Sequence, residues 1–263
     1  MTAAPARECA LVTGASSGIG LEIARTLAAK GIDLILTARS QDPLERLAAE
    51  LTQRHGIAAQ TVVADLAACN SATALFDQIN ASGTHVDILV NNAGFATFGP
   101  FAQADAGAER DELHVNVVAL TELTKLFLKG MLDRGKGRIL NVASTAAFQP
   151  GPLMAVYYAT KSYVLHFSEA IANELRGSGV TVTVVCPGPT TSGFQQRANL
   201  GASKLMAGRF MSSATVARIA VDATLAGKTI VIPGFRNAAL AWLVRFMPRG
   251  FIADFVHRAQ ELR

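Results

Sequence analysis

The fold of this chain is decided by residues 9–20, which read CALVTGASSGIG. The first five residues form a largely apolar run that predicts a buried strand, and a glycine-rich turn leads from it into an apolar-periodic helix over Ile19–Lys30. Gly14 allows a tight turn, Gly18 leaves room for a ligand, and Gly20 allows close packing. Because a helix N-terminus presents free N–H groups and a partial positive charge, this turn suits a pyrophosphate. An ordinary strand-to-helix turn can carry the same glycines, so the interpretation depends on the rest of the chain.

Outward from this turn, short apolar runs alternate with helical patterns at the spacing of βα units. The runs are apolar nearly throughout, which indicates strands buried on both faces of a parallel sheet. Helix boundaries are indicated by Gly31 after the first helix, by Asp42-Pro43 at the start of the second, and by Ser213 before Ala214–Leu225. We therefore predict an α/β fold with a doubly wound, seven-stranded, mostly parallel sheet in three layers, as a single domain over residues 1–263. The candidate strands are Cys9–Thr13, Ile32–Ala38, Ala58–Ala64, Val86–Asn91, Gly137–Ala143, Val180–Cys186 and Thr229–Ile232.

The composition excludes several classes of protein. With 263 residues, 50% of them hydrophobic and 17% charged, the chain can bury a core and is not intrinsically disordered. Three cysteines, Cys9, Cys69 and Cys186, cannot staple a chain of this length, and their odd number indicates a reducing compartment. We expect a cytoplasmic protein, since the sequence shows neither a signal-peptide pattern nor an apolar run of roughly 18 residues. The net charge of +4 favours anionic small molecules or weak contact with an anionic surface, and it is too small to predict nucleic-acid binding.

Further motifs follow the predicted strands in order. They are Asp65-Leu66 after the third strand, Asn91-Asn92-Ala93-Gly94 after the fourth, Asn116 within HVNVVAL, Ser144 after the fifth, Tyr157 and Lys161 as Y-x-x-x-K, and Pro187-Gly188 after the sixth. Together with the glycine-rich turn, which has the form G-x-x-x-G-x-G, these motifs closely resemble the short-chain dehydrogenase/reductase family over about Cys9 to Ile232. The resemblance implies a Rossmann fold, a nicotinamide dinucleotide cofactor, and hydride transfer between that cofactor and a carbonyl or alcohol.

The end of the second strand predicts which dinucleotide binds. An acidic residue there would bind the adenosine ribose and repel a 2′-phosphate, but this chain has Ala38 followed by Arg39. Because an arginine fork suits a phosphate, NADP(H) is the predicted cofactor; NAD(H) is the alternative, in which Arg39 is only a solvated loop charge. The cofactor-binding residues implied by the resemblance are Gly14, Ser16, Ser17, Gly18, Ile19, Gly20, Arg39, Asp65, Leu66, Asn92, Ala93, Gly94, Tyr157, Lys161, Pro187, Gly188, Thr190 and Ser192.

A proton-transfer site is predicted around Tyr157 and Lys161, which are four residues apart and share one face of a predicted helix. A nearby ammonium should lower the pKa of the Tyr157 phenol from about 10. The resemblance makes Tyr157 the general acid in carbonyl reduction and the base in alcohol oxidation, while Lys161 also binds the nicotinamide ribose. It further implies that Ser144 hydrogen-bonds the substrate oxygen and that Asn116 holds a water leading toward Lys161. Taken singly, each residue could serve as a packing, solvated or capping group. Tyr158 lies about 100° away around the helix and is predicted to pack.

After the sixth strand, residues 186–192 should pass the nicotinamide. The sequence leaves open whether Thr190 or Ser192 meets the carboxamide. Cys186 is predicted to be a buried thiol rather than a nucleophile, because hydride transfer needs none. No metal site is predicted, since the five histidines show no ligand spacing.

The pocket walls and a predicted substrate lid over residues 187–212 are mostly apolar, which favours a lipophilic carbonyl compound or secondary alcohol as the substrate. The sequence does not distinguish among a 3-oxoacyl group, a steroid-like ketone and a generic aldehyde or ketone as the substrate. A non-catalytic dinucleotide-binding sensor or scaffold is the alternative function, because fold alone does not fix activity.

Residues 236–263 are predicted to form a C-terminal helical extension. The favoured interpretation docks it on its own domain or on a partner subunit. The alternative is peripheral membrane contact, because Trp242, Phe246 and Phe251 accompany several arginines. We expect a homodimer packed through residues 110–132 and 155–176, with a tetramer as the alternative.

Overall fold

The computed structural model describes residues 7–191 and 210–260. Strands and helices alternate along this part of the chain, as the apolar runs predict. In order, the elements are β1 (Cys9–Thr13), α1 (Gly18–Ala28), β2 (Asp33–Ala38), α2 (Gln41–His55), β3 (Ala59–Val63), α3 (Ser71–Ala81), β4 (Ile88–Asn91), α4 (Ala106–Leu113), a π-helix (His114–Ala119), α5 (Leu120–Asp133), β5 (Gly137–Val142), α6 (Ala155–Glu174), β6 (Val180–Val185), β7 (Thr190–Thr191), β8 (Met211–Ser212), α7 (Ser213–Leu225), β9 (Ile230–Val231), α8 (Phe235–Leu243) and α9 (Arg249–Gln260). Short 3-10 helices span Phe101–Gln103, Thr145–Phe148 and Val244–Phe246.

Seven strands form one sheet in the order β3-β2-β1-β4-β5-β6-β9, and every pairing in it is parallel. The strand order reverses between β1 and β4. In doubly wound sheets, ligands bind at such a switch point, beyond the carboxyl ends of the strands. The predicted seven-stranded, three-layer Rossmann fold is therefore confirmed, and the strand bounds agree with the predicted ones to within two residues at each end.

The two faces of the sheet are covered by different helices. Helices α1, α2 and α7 pack on one face through side chains such as Ile23, Leu44 and Val221. Helices α3 and α5 pack on the other through side chains such as Leu75 and Phe127. Burial of both faces explains why the strand sequences are apolar nearly throughout.

Asp42 and Ser213, predicted as the N-caps of the second helix and of Ala214–Leu225, are not the N-caps, although Pro43 lies in the first turn as predicted. Helix α2 begins at Gln41 with Ser40 as its N-cap, so Asp42-Pro43 lies inside the first turn, where a missing N–H breaks no helical hydrogen bond. The N-cap of α7 is Ser212, whose hydroxyl accepts from the Thr215 N–H, rather than Ser213.

The C-terminal helices dock on the domain through one side. Ile252 and Val256 of α9 are buried against Ala96, Met154 and Tyr158. At the end of the same helix, Gln260 Nε2 donates to the buried Tyr158 hydroxyl at 2.6 Å. Across residues 7–191 and 210–260, we find no helix that combines the length and the apolar character needed to cross a membrane.

Candidate active site

A cleft of about 840 Å³ follows the carboxyl edge of the sheet. Within the described ranges, every residue predicted for catalysis or cofactor binding lines this cleft except Gly20 and Asn116, which lie directly behind its wall. Ser192 and most of the predicted lid (residues 192–209) lie outside the described residues. The predicted residues that line the cleft are Gly14, Ser16, Ser17, Gly18, Ile19, Arg39, Asp65, Leu66, Asn92, Ala93, Gly94, Ser144, Tyr157, Lys161, Pro187, Gly188 and Thr190.

The glycine-rich turn packs tightly on the segment that follows β4. Gly14 and Gly18 both adopt positive φ, of 66° and 60°, which side chains disfavour. The Asn92 side-chain amide donates to the Thr13 carbonyl oxygen at 2.8 Å. A Cβ at Gly20 would lie 2.5 Å from the Gly14 carbonyl oxygen and closer still to that amide. The third glycine of the motif is thus required by the protein's own packing.

Thr13 ties the turn to the same segment from inside the sheet. Its hydroxyl donates to the Val90 carbonyl oxygen and accepts from the N–H groups of Asn92 and Ala93, at distances of 2.9–3.1 Å. The hydroxyl is buried, so these bonds fix the two strand ends at the switch point.

One end of the cleft is formed by the ends of β2 and β3. Ala38 closes β2, followed by the exposed Arg39, and Asp65 with Leu66 forms the opposite wall. Asp65 accepts from the Ala67 N–H at 3.1 Å, and His114 Nδ1 hydrogen-bonds the Leu66 carbonyl oxygen at 3.0 Å. No acidic side chain lies at the carboxyl end of β2, and the exposed Arg39 lines the cleft wall there.

The predicted proton-transfer residues meet near the middle of the cleft. Tyr157 and Ser144 hydrogen-bond each other, and both line the wall. Lys161 is 5% exposed, and its ammonium donates to the Val142 carbonyl oxygen at 2.9 Å. Helix α6 places Tyr157 and Lys161 one turn apart, with the Lys161 Nζ 5.8 Å from the centroid of the Tyr157 ring.

Burial dominates the titration of both groups. It raises the pKa of Tyr157, although the hydrogen bond with Ser144 acts in the opposite direction. It also lowers the pKa of Lys161 to about 8, against an opposing effect of the Glu112 carboxylate. The predicted lowering of the Tyr157 pKa by Lys161 is therefore wrong for this structure, because desolvation raises this pKa and the Lys161 ammonium is directed at the Val142 carbonyl oxygen.

Asn116 lies in the π-helix and is 1% exposed. Its Nδ2 donates to the Phe95 carbonyl oxygen at 2.9 Å and to the Thr160 hydroxyl at 3.1 Å, while its Oδ1 accepts from the Phe95 N–H at 3.2 Å. A Cβ at Gly94 would lie 2.9 Å from this Oδ1 and 3.4 Å from the Lys161 Nζ. Asn116 and Lys161 thus both lie close to Gly94, and the Asn116 side chain holds the backbone of the next residue, Phe95.

Glu112, which the sequence analysis missed, is fully buried one helical turn before Asn116. Its Oε2 accepts from both the N–H and the hydroxyl of Thr97, each at 2.8 Å. Its Oε1 has no hydrogen-bond partner among the described residues, and burial raises the pKa of this carboxyl. Glu112 and Asn116 together clamp the segment 95–97. The sequence ERDEL gives no signal for this role, because it is typical of a solvated helix face.

The far end of the cleft is apolar and includes the C-terminal extension. Its walls come from the 3-10 helix Thr145–Phe148, from Met154, and from both C-terminal helices. Cys186 is buried, and burial raises the pKa of its thiol to about 12, so the thiol stays protonated as expected. Thr190 donates its hydroxyl to the Gly188 carbonyl oxygen at 2.8 Å. Among residues 7–191 and 210–260, no group of three or more potential metal ligands comes together.

A Rossmann sheet with a glycine-rich turn at its switch point and a Ser-Tyr-Lys group in the same cleft defines the class of nicotinamide-dependent oxidoreductases. Within that class, the family model for short chain dehydrogenases matches residues 8–202. The chain belongs to this family.

Relatives and solved structures agree with this membership. The chain is 35% identical to a very-long-chain 3-oxoacyl-CoA reductase of Anas platyrhynchos over 68% of its length and 58% of that protein's. It is 38% identical to the corresponding reductase of Pyrenophora tritici-repentis over 70% of its length and 55% of that protein's. It therefore spans little more than half the length of these relatives. A short-chain dehydrogenase from Sphingobium yanoikuyae in complex with NADPH has a TM-score of 0.83 and 31% identity, covering 93% of this chain and 94% of the other.

Proposed function

We propose that this chain is an NADP(H)-dependent oxidoreductase that transfers a hydride between the nicotinamide and a lipophilic carbonyl compound or secondary alcohol. The observation that carries the proposal is one cleft that joins the glycine-rich turn, the Ser144-Tyr157-Lys161 group and an apolar end. A sensor or scaffold would have no need of the last two features.

The residues of the cleft fit a dinucleotide. Positive φ at Gly14 and Gly18 opens the N-terminus of α1, an 11-residue helix, toward the cleft, where its free N–H groups suit a pyrophosphate. Arg39 suits the 2′-phosphate of NADP(H), and the solved relative in complex with NADPH supports the same choice. When bound, the nicotinamide supplies or accepts the hydride.

The protein's own part of the reaction is proton transfer. In carbonyl reduction, the Tyr157 hydroxyl donates its proton to the substrate oxygen while the Ser144 hydroxyl hydrogen-bonds that oxygen. Burial raises the pKa of Tyr157, so the phenol is protonated at neutral pH, as the acid role requires. Lys161, whose pKa is lowered to about 8, can exchange a proton near neutral pH and so resupply the site.

The substrate class follows from the apolar end of the cleft. Side chains such as Phe148, Met154, Leu243 and Ile252 surround the space next to Tyr157, so an aliphatic chain or ring system fits there. Because the two relatives described above are named very-long-chain 3-oxoacyl-CoA reductases, a 3-oxoacyl thioester is the proposed first member of this class to assay.

The test is a panel of 3-oxoacyl thioesters, steroid-like ketones and simple ketones, with NADPH consumption followed by absorbance. We expect turnover that Tyr157→Phe abolishes without loss of NADPH binding, and a preference for NADPH over NADH that Arg39→Ala reduces. Tight NADPH binding without turnover on the whole panel would support the sensor function instead. An NADH preference that survives Arg39→Ala would contradict the cofactor assignment.

We also propose a homodimer packed through residues 110–132 and 155–176. These helices carry the exposed apolar side chains Leu113, Val118, Leu132 and Tyr163, which a partner subunit would cover. Sedimentation equilibrium of the wild type and of Val118→Arg tests this, with a monomeric wild type contradicting it.

A further inference from the structure

The C-terminal helices expose an unusual amount of apolar surface. Of the fourteen large hydrophobic side chains that are exposed among the described residues, seven lie between residues 235 and 255. We call these seven side chains the C-terminal apolar surface: Phe235, Leu240, Trp242, Leu243, Phe246, Phe251 and Phe255. Trp242 and Phe246 contact each other with ring centroids 4.6 Å apart. Grouped exposure of this kind marks an interaction surface rather than ordinary scatter.

The exposure does not arise because the helices are undocked. Ala241 of α8 and Ile252 and Val256 of α9 are buried, and Gln260 is hydrogen-bonded to Tyr158 in the interior. One side of each helix therefore packs against the rest of the domain. Phe235, Trp242 and Phe246 are exposed and lie outside both this buried contact and the cleft.

The charge on the same helices is strongly one-sided. Residues 235–260 contain four exposed arginines, Arg236, Arg245, Arg249 and Arg258, and only one acidic residue, Asp254. Aromatic side chains beside exposed arginines match the interface of an anionic bilayer, where rings enter the acyl boundary and guanidinium groups meet lipid phosphates. A second protein copy, which would bring the same arginines, fits this surface less well because like charges repel.

The surface also reaches the mouth of the cleft. Leu240, Leu243, Phe251 and Phe255 are exposed and at the same time line the cleft. An apolar rim shared between cleft and surface gives a lipophilic molecule a route that avoids water.

We propose that the C-terminal apolar surface docks on an anionic phospholipid bilayer as a peripheral contact, with the apolar end of the cleft opening toward the membrane. The docking is supported by the C-terminal apolar surface and its charge. Delivery of substrate from the bilayer rests in addition on the proposed function.

The experiment uses the full chain and vesicles of phosphatidylcholine with or without phosphatidylserine. The chain has one tryptophan, Trp242, which lies on the surface and is 62% exposed, so its fluorescence reports docking directly. We expect flotation with the anionic vesicles, a blue shift of Trp242 emission, and loss of both at high salt.

Two matched variants make the test specific. Phe235→Ala combined with Phe246→Ala removes two rings of the surface that do not line the cleft, and Phe101→Ala removes a ring elsewhere that is exposed to the same 68% as Phe246. We expect the double variant to lose about a hundredfold in vesicle partitioning, since each of the two rings contributes about a factor of ten when buried. Phe101→Ala should partition like the wild type.

Failure of the wild type to float on anionic vesicles would overturn the proposal, as would equal flotation of the double variant. If the wild type self-associates but does not float, and the double variant no longer self-associates, the surface is an interface between copies of the chain. That result would also overturn the proposal. Turnover of a water-soluble ketone, assayed in parallel, separates these outcomes from failure of the proposed function.

Discussion

Replacing Gly20 with alanine tests the contact between the glycine-rich turn and the segment that follows β4. An added Cβ would lie 2.5 Å from the Gly14 carbonyl oxygen, whereas ordinary van der Waals contacts of a Cβ begin at 3.4 Å. The nearest side-chain atom is the Asn92 amide nitrogen, which donates to the carbonyl oxygens of Thr13 at 2.8 Å and Gly14 at 3.3 Å. The methyl group can fit only if the turn shifts or the Asn92 amide leaves these acceptors.

Both responses cost stability. Overpacking of this kind costs about 1–3 kcal/mol, and each hydrogen bond of Asn92 that is lost adds about 1 kcal/mol. We expect Gly20→Ala to lower the free energy of unfolding by about 2–4 kcal/mol in equilibrium urea denaturation, with an unchanged m-value. A displaced turn should also weaken NADPH binding in a fluorescence titration.

The matched control is Gly250→Ala, at the start of α9. A Cβ there meets nothing within 4 Å, so alanine should be neutral or slightly stabilising through its helix propensity. A Gly20→Ala variant whose free energy of unfolding lies within about 0.5 kcal/mol of wild type, with unchanged affinity for NADPH, would contradict this packing role of Gly20.

Three further predictions concern the buried polar groups around the cleft. Glu112→Gln removes the charge that raises the pKa of Lys161, so this pKa should fall below about 8 and the basic limb of the pH–rate profile should move to lower pH. Glu109→Gln on the same helix is the control. Basic limbs that coincide in wild type and Glu112→Gln would show that Lys161 does not set this limb. Because the Glu112 pKa is raised in the folded state, its contribution to stability is present below the unfolded pKa and is lost as the pH rises through the folded value. Urea denaturation at pH 5 and pH 8 should therefore show Glu112→Gln gaining stability relative to wild type at the higher pH, and a pH-independent difference would argue against this. Finally, Tyr158→Phe removes the buried 2.6 Å hydrogen bond that Gln260 donates, and the Gln260 Oε1 already has no partner among the described residues. Hydrogen exchange over residues 249–260 should therefore show α9 destabilised by about 1–3 kcal/mol. Unchanged exchange would show that apolar contacts alone hold α9 on the domain.

The strands of the parallel sheet and most residues that line the cleft could be predicted because the responsible signals are local in sequence. The apolar runs report burial on both faces, and the glycine-rich turn reports a helix N-terminus at the switch point. Tyr157 and Lys161 share a helix face by spacing alone. Each of these inferences uses residues within a few positions of one another.

What the sequence could not supply depends on contacts between distant segments. Glu112 and Thr97 are 15 residues apart and Gln260 and Tyr158 are 102 apart, and none of these polar residues stands out within its own segment. The predicted effect of Lys161 on the Tyr157 pKa was wrong for a related reason. Spacing gives proximity, but the balance between desolvation and charge depends on the complete surroundings of both groups.

The segment 95–98 links the catalytic group to the C-terminal extension. Its backbone is held from one side by Asn116 and Glu112. Its apolar side chains Ala96 and Phe98 belong to the cluster that contains Tyr158 and, from α9, Ile252 and Val256. Packing therefore joins α9 to the same segment whose backbone Asn116 and Glu112 hold. Because residues of both C-terminal helices also line the cleft, the extension is part of the cleft wall rather than an appendage.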